Sequence, residues 1–142
     1  MTRNLSFKRH LRHSPERVWK ALTDKNALSQ WYMDNDFSPV VGHQFTFRPT
    51  SKMNFDGLLC GVVIKVDEPY LLVYSFRGGS MTGETVVTWT LIPDGTGTLL
   101  LLEHTGFNVP DDITLNSIMT ICPSRFLPQL ADSLDTTLLA EI

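Results

Sequence analysis

Histidine, cysteine and glycine are the residues whose spacing most readily announces chemistry, and here each is tested first. The four histidines, His10, His13, His43 and His104, make no metal-ligand spacing, and none forms a recognisable motif with a neighbouring carboxylate and nucleophile. Glu103 adjoins His104, but neighbours in a strand face opposite ways and cannot act as a dyad. Cys60 and Cys122 are far apart and fit neither a metal site nor a redox pair, so two free thiols are expected. Gly78-Gly79 and Gly95/Gly97 fall in turns that precede no helix, and so form no phosphate loop. Catalysis thus finds little support in the residues, and no metal or cofactor is expected. What remains is aromatic: SPERVWKALTDKNALSQWY, Ser14 to Tyr32, holds two of the three tryptophans. Such rings can be core, a membrane anchor or the wall of a ligand site.

Composition narrows the choice. The chain has 142 residues, 42% hydrophobic and 19% charged, with a net charge of −3, as expected of one globular domain over residues 1–142. Lys and Arg form no long run, so neither nucleic acid nor an acidic membrane surface is an expected partner. Ser14 to Tyr32 carries Glu16 and Asp24 against Arg17, Lys20 and Lys25, not the basic face of an interfacial helix. The first residues lack the apolar core of a signal peptide, and no apolar run reaches membrane-spanning length. A cytoplasmic protein is expected.

The elements that must position these rings follow from periodicity. Residues 3–12 alternate as a strand, with Leu5, Phe7 and Arg9 on one side. Ser14-Pro15-Glu16 starts a helix: a capping hydroxyl, proline at the first position and a carboxylate facing the dipole. Thr23-Asp24 caps a second short helix whose apolar positions are Leu28, Trp31 and Tyr32, followed by a polar loop, Asp34-Asn35-Asp36. The pattern then changes to period two. Phe45 and Phe47 share a face, and Leu58 to Val66 is nearly continuous apolar, broken by Gly61, which marks a bulge or a close backbone contact. Asp67-Glu68-Pro69 turns into a strand from Leu71 to Phe76, and Arg77-Gly78-Gly79 reads as a loop. Residues 85–91 set Val87, Trp89 and Leu91 inward against Thr88 and Thr90. Pro93-Asp94-Gly95 turns the chain into a last strand, Thr98 to Thr105, with Leu100, Leu102 and His104 inward. Short turns imply an antiparallel meander. Asn108 to Asp112 reads as a loop and Ile113 to Ile121 as a helical turn or two ended by Pro123. Leu127, Leu130, Leu134 and Leu138 then form one helical stripe, with Pro128 in its first turn. One helix covering one face of a curved sheet is an α+β arrangement.

SPERVWKALTD with Trp31 downstream, VGHQFTF, GVVIKVDEPYLLVYSF, TVVTWTL, GTGTLLLLEHTGF and ADSLDTTLL resemble successive blocks of one family, over about Leu5 to Leu138. It is the family of homologues of the heat-shock-protein-90 ATPase activator, in the START-like (SRPBCC) superfamily. The resemblance implies a helix-grip fold: a curved antiparallel sheet wrapped around a long C-terminal helix, two short helices after the first strand, and usually a cavity between sheet and helix. Family members often carry Gly-Trp before the last helix and a leucine before the Asp-Ser-Leu stretch; Phe126-Leu127 and Ala131 stand at those places here. The eukaryotic activators also have a separate chaperone-binding domain, for which this chain is expected to have no room.

Together, pattern and resemblance point to a domain that binds a small hydrophobic or amphipathic molecule between the sheet and the last helix. Its expected lining is Trp31, Tyr32, Phe45, Phe47, Tyr74, Phe76, Trp89, His104, Leu127, Leu130 and Leu134. Trp19 is expected in the core. Trp31 and Tyr32, at a junction with a polar loop, are expected to border a pocket, with core packing as the alternative. His104 is either a hydrogen-bonded core residue or a polar contact for the ligand. The alternative functions are a chaperone-modulating interaction module and a cyclase- or aromatase-type enzyme of the same superfamily. Leu99 and Leu101 point to the outer face, where a homodimer contact is the simplest cover, although single exposed leucines also occur on monomers.

Overall fold

The computed structural model describes residues 2–48, 59–78, 85–108 and 127–141. Among the described residues, seven strands and three helices follow in the order β1 (Thr2–Leu11), α1 (Pro15–Thr23), α2 (Lys25–Trp31), β2 (Asp34–Asn35), β3 (Gln44–Arg48), β4 (Leu59–Asp67), β5 (Leu71–Gly78), β6 (Thr85–Asp94), β7 (Gly97–Asn108) and α3 (Leu127–Glu141). The expectations for 49–58, 79–84 and 109–126, including the helical turn over Ile113 to Ile121, Cys122, Pro123 and Phe126, lie outside the described residues, as does the side chain of Leu138.

Local chemistry accounts for the two short helices. The Ser14 hydroxyl accepts the Arg17 N–H at 3.4 Å, with Pro15 at the first helical position. Asp24 then serves both helices: its backbone N–H closes α1 on the Lys20 carbonyl at 2.9 Å, and its carboxylate accepts the Ala27 N–H at 2.9 Å. One residue therefore ends α1 and starts α2, fixing the angle at which α2 leaves.

All strands pair antiparallel in the order β1-β7-β6-β5-β4-β3-β2. From β2 to β7 this is a meander, while β1 joins the far edge beside β7. The inward set of β6 and β7 is as the alternation requires: Val87, Trp89, Leu91, Leu100, Leu102 and His104 are buried. Leu127, Leu130 and Leu134 of α3 join the same core, so the sheet curls around the helix in the helix-grip manner. Gly61 is the close contact its position suggests. A Cβ there would collide with the Ser75 carbonyl and come within 2.7 Å of Phe45 Cζ. Beside it the Ser75 hydroxyl accepts the Val62 N–H at 2.9 Å, and the β4–β5 register shifts between Val63 and Lys65.

Three expectations are corrected. Asp34-Asn35 is a two-residue strand against Arg48 and Phe47 rather than loop; so short a strand has no periodicity to read. Arg77 and Gly78 continue β5, paired with Cys60 and Leu59, because the partner strand extends them. Trp31 and Tyr32 do not rim an opening: they are only 3% and 6% exposed. The Trp31 indole Nε1 donates to the Ala21 carbonyl at 2.8 Å, and its ring meets Trp89 edge-on at 6.4 Å. Trp19, as expected, is core.

The Trp31 correction changes its mutational cost. Trp31→Ala is expected to lose about 3–5 kcal/mol of stability, as Trp89→Ala does, because each opens a ring-sized hole in a closed core. Urea titration checks this; a loss below about 1 kcal/mol for Trp31→Ala would contradict the placement.

Candidate functional site

Seven of the expected lining residues are aromatic, and they come together in one cluster. Trp31 lies against Trp89 and stacks on Tyr32 at 5.5 Å; Tyr32 meets Phe47 at 5.3 Å and Phe47 meets Phe76 at 6.2 Å. Phe76 in turn presents its ring to His104, edge to face, at 5.4 Å. Phe45 and Tyr74 widen this chain of rings, 5.2 Å apart. Edge-to-face pairs at such spacings add about 0.5–1.5 kcal/mol beyond the area they bury. Leu127, Leu130 and Leu134 bring the helix to the same interior.

Phe37 belongs to the cluster and sequence reading missed it. It meets Phe45 at 5.0 Å, Tyr74 at 5.6 Å and Phe47 at 6.3 Å. A lone phenylalanine after three polar residues has no period to betray its side. The available signal was Asn35, whose side-chain carbonyl accepts the Phe37 N–H at 2.9 Å in an Asx-turn that swings the ring inward.

Two polar pairs interrupt the apolar interior. The Trp89 indole donates to the Tyr74 hydroxyl at 3.1 Å. His104 Nε2 lies 2.7 Å from the Thr85 hydroxyl, which itself donates to the Phe76 carbonyl at 2.6 Å. Burial pushes the His104 pKa down from 6.5 to about 3, so its imidazole is neutral at neutral pH.

Two other histidines meet carboxylates that are distant in the sequence. His13, buried, lies 2.7 Å from Asp135 of α3, and the Thr98 hydroxyl donates to its backbone carbonyl at 2.7 Å. His10 and Asp94 are paired at 3.0 Å on the surface. Separations of 122 and 84 positions leave no sequence motif. The His13–Asp135 contact ties α3 to the β1–α1 connection. Among the described residues no three side chains of metal-ligating type converge.

Two openings are bordered by described residues. A groove of about 240 Å³ between α1, α2 and α3 is lined by Arg17, Lys20, Ala21, Asp24, Asn26, Ala27, Gln30, Ser133 and Leu134. A depression of about 310 Å³ over β3, β4 and β5 is lined by Gln44, Phe45, Thr46, Cys60, Gly61, Val62 and Arg77. Each shares one residue with the expected lining, Leu134 and Phe45.

A curled antiparallel sheet closed on a C-terminal helix, with an aromatic interior, is the START-like helix-grip class. Residues 12–135 match the family described as activator of Hsp90 ATPase homolog 1-like protein, and the chain belongs to that family. It is similar to protein MLL2253 of Mesorhizobium loti, 32% identical with a TM-score of 0.81, over 95% of this chain and 98% of that one. The Aha1 dimer of Colwellia psychrerythraea, solved in solution, is 22% identical with a TM-score of 0.76, over 93% and 96% of the two chains. DynU16, from the dynemicin biosynthetic locus, is 18% identical with a TM-score of 0.75; the match spans 94% of this chain and 48% of that one. These last two likenesses show the fold alone. No curated protein matches the chain. Among the described residues no helix is long and apolar enough to cross a membrane.

The neutral, buried His104 makes stability pH-dependent. The unfolded chain takes up this proton near pH 6.5, the folded chain only near 3. The histidine therefore costs nothing above pH 6.5 and erodes stability as pH falls through that window, by up to about 1.4 kcal/mol per unit. The stability gap between wild type and His104→Gln is expected to narrow from pH 7 to pH 4. Parallel stability curves over that range would show that His104 titrates alike in both states.

Proposed function

We propose that the protein binds a small hydrophobic or amphipathic molecule between the sheet and α3, in contact with the aromatic cluster. The observation that carries this reading is the chain of rings from Trp89 to His104: a continuous apolar wall that ends on a neutral polar group. Small-molecule sites are mostly apolar and aromatic with a few placed polar groups, and Thr85–His104 is such a group. The family's fold supports the reading, as does the likeness to a protein of a biosynthetic locus. Trp31, Tyr32, Phe45, Phe47, Tyr74, Phe76, Trp89, His104, Leu127, Leu130 and Leu134 are the proposed contacts. Thermal-shift screening of ligand-free protein against aromatic and aliphatic amphipaths is expected to find stabilisers, since a ligand at 100 times its dissociation constant adds about 2.7 kcal/mol. A broad screen without a hit would end the proposal.

A homodimer is the second proposal. Leu99 and Leu101 lie half-buried on the outer face, beside Ile92, which is 40% exposed, and the Colwellia psychrerythraea relative was solved as a dimer. Sedimentation velocity is expected to show a dimer that Leu99→Lys/Leu101→Lys converts to monomer. A wild type that stays monomeric at every concentration would rule it out.

A further inference from the structure

Where the three helices meet, the surface forms a groove of about 240 Å³ whose room comes from small side chains. Ala21 of α1 and Ala27 of α2 leave space there, and Leu134 of α3 completes an apolar floor. Ala21 and Leu134 are each 6% exposed, so this floor is the outer layer of the packed core. Polar groups surround it by type. Arg17 and Lys20, one turn apart on α1, bring two cations, and Asn26 and Gln30, one turn apart on α2, bring side-chain amides that can donate. Among the described residues the Lys20 ammonium makes no ion pair. Two nearby carboxylates are engaged. Asp24, on the groove's lining, accepts the Ala27 N–H at 2.9 Å, and Asp135 of α3 is held by His13 at 2.7 Å, with Arg12 at 3.9 Å.

We propose that this groove is a second site, which binds one short-chain amphipath with an anionic head, a carboxylate or sulfate. Its chain lies on Ala21, Ala27 and Leu134, and its head meets the Lys20 ammonium, with the Asn26 and Gln30 amides as further donors. A cationic head would face Lys20 and Arg17, with only the Asp24 carboxylate, already committed to its cap, to answer it. The volume lies just below the usual range for small-molecule sites, about 300–1,000 Å³, which limits the chain to a short one. A concave groove of this size takes a free molecule and not a bilayer surface. Of the interior contacts proposed above only Leu134 borders it, so the two sites stand or fall separately.

Octanoate, with octylammonium as its charge-reversed match, tests this in NMR titrations of the full chain labelled at alanine methyls and tryptophan indoles. At pH 7 octanoate is expected to give saturable shifts at the Ala21 and Ala27 methyls. It should bind about tenfold more tightly than octylammonium. Raising the salt to about 0.5 M should narrow that preference, since the charges lie near water. Lys20 is exposed, so Lys20→Glu leaves the core intact and should abolish or invert the preference. Ala27→Phe fills the groove and should remove octanoate binding; if that variant does not fold, Lys20→Glu decides alone. Equal affinity for the two probes, a preference that survives in Lys20→Glu, or no saturable shift at all would overturn the proposal. Octanoate shifts at the Trp31 and Trp89 indoles with the alanines unmoved would also overturn it, while supporting the interior site. Alanine shifts with silent indoles would uphold it, whatever the broad screen of the interior finds.

Discussion

A single sheet can bury only one face, and here that burial depends on how Trp31 joins the helices to the strands. Its indole N–H is anchored on the Ala21 carbonyl of α1, its ring lies edge-on to Trp89 of β6, and Tyr32 stacks behind it. One side chain thus holds the α1–α2 pair against the middle of the sheet. Asp24 sets the angle between those helices, so cap and ring together place α2 where the sheet needs cover. The rest of the inward face is then closed by Phe37 from the loop after β2 and by the leucines of α3.

Polar groups inside such a core are tolerated only when they are paired, because an unmet donor or acceptor in an apolar setting costs about 1–3 kcal/mol. The interior solves this pairwise, Trp89 with Tyr74 and His104 with Thr85. The consequence for His104 is chemical as well as structural. Burial holds it neutral, so the wall of rings ends on an uncharged imidazole rather than on a cation. A third contact, His13 with Asp135, works at the boundary of the core and locks α3 to the first strand's end.

Much of this architecture was legible in the sequence because its causes are local. The caps at Ser14 and Asp24, the inward set of β6 and β7, the close approach at Gly61 and the stripe Leu127, Leu130 and Leu134 each depend on a few neighbouring residues. What escaped depends on partners far along the chain. β2 exists only because β3 lies beside it; Phe37 is the exception, turned inward by the nearby Asn35 cap, which no period marks. Trp31 looked like a rim residue because the next segment is polar, while its burial is decided by Ala21 and Trp89. The His13–Asp135 and Thr85–His104 pairs join separate elements, and no spacing rule reaches across 122 or 19 positions. The aromatic set was legible as a face, but its ring-to-ring order was not, since alternation assigns a side and not a neighbour.

The central claim, that the interior takes up a small molecule against this wall of rings, is tested most directly by mapping where a ligand acts. Two-dimensional NMR of the protein with labelled tryptophan, histidine and leucine, titrated with a stabilising amphipath, reads each group separately. The account predicts saturable shifts at the Trp31 and Trp89 indoles, the His104 ring and the Leu130 and Leu134 methyls. Shifts confined to surface groups, with these interior signals unmoved, would contradict it.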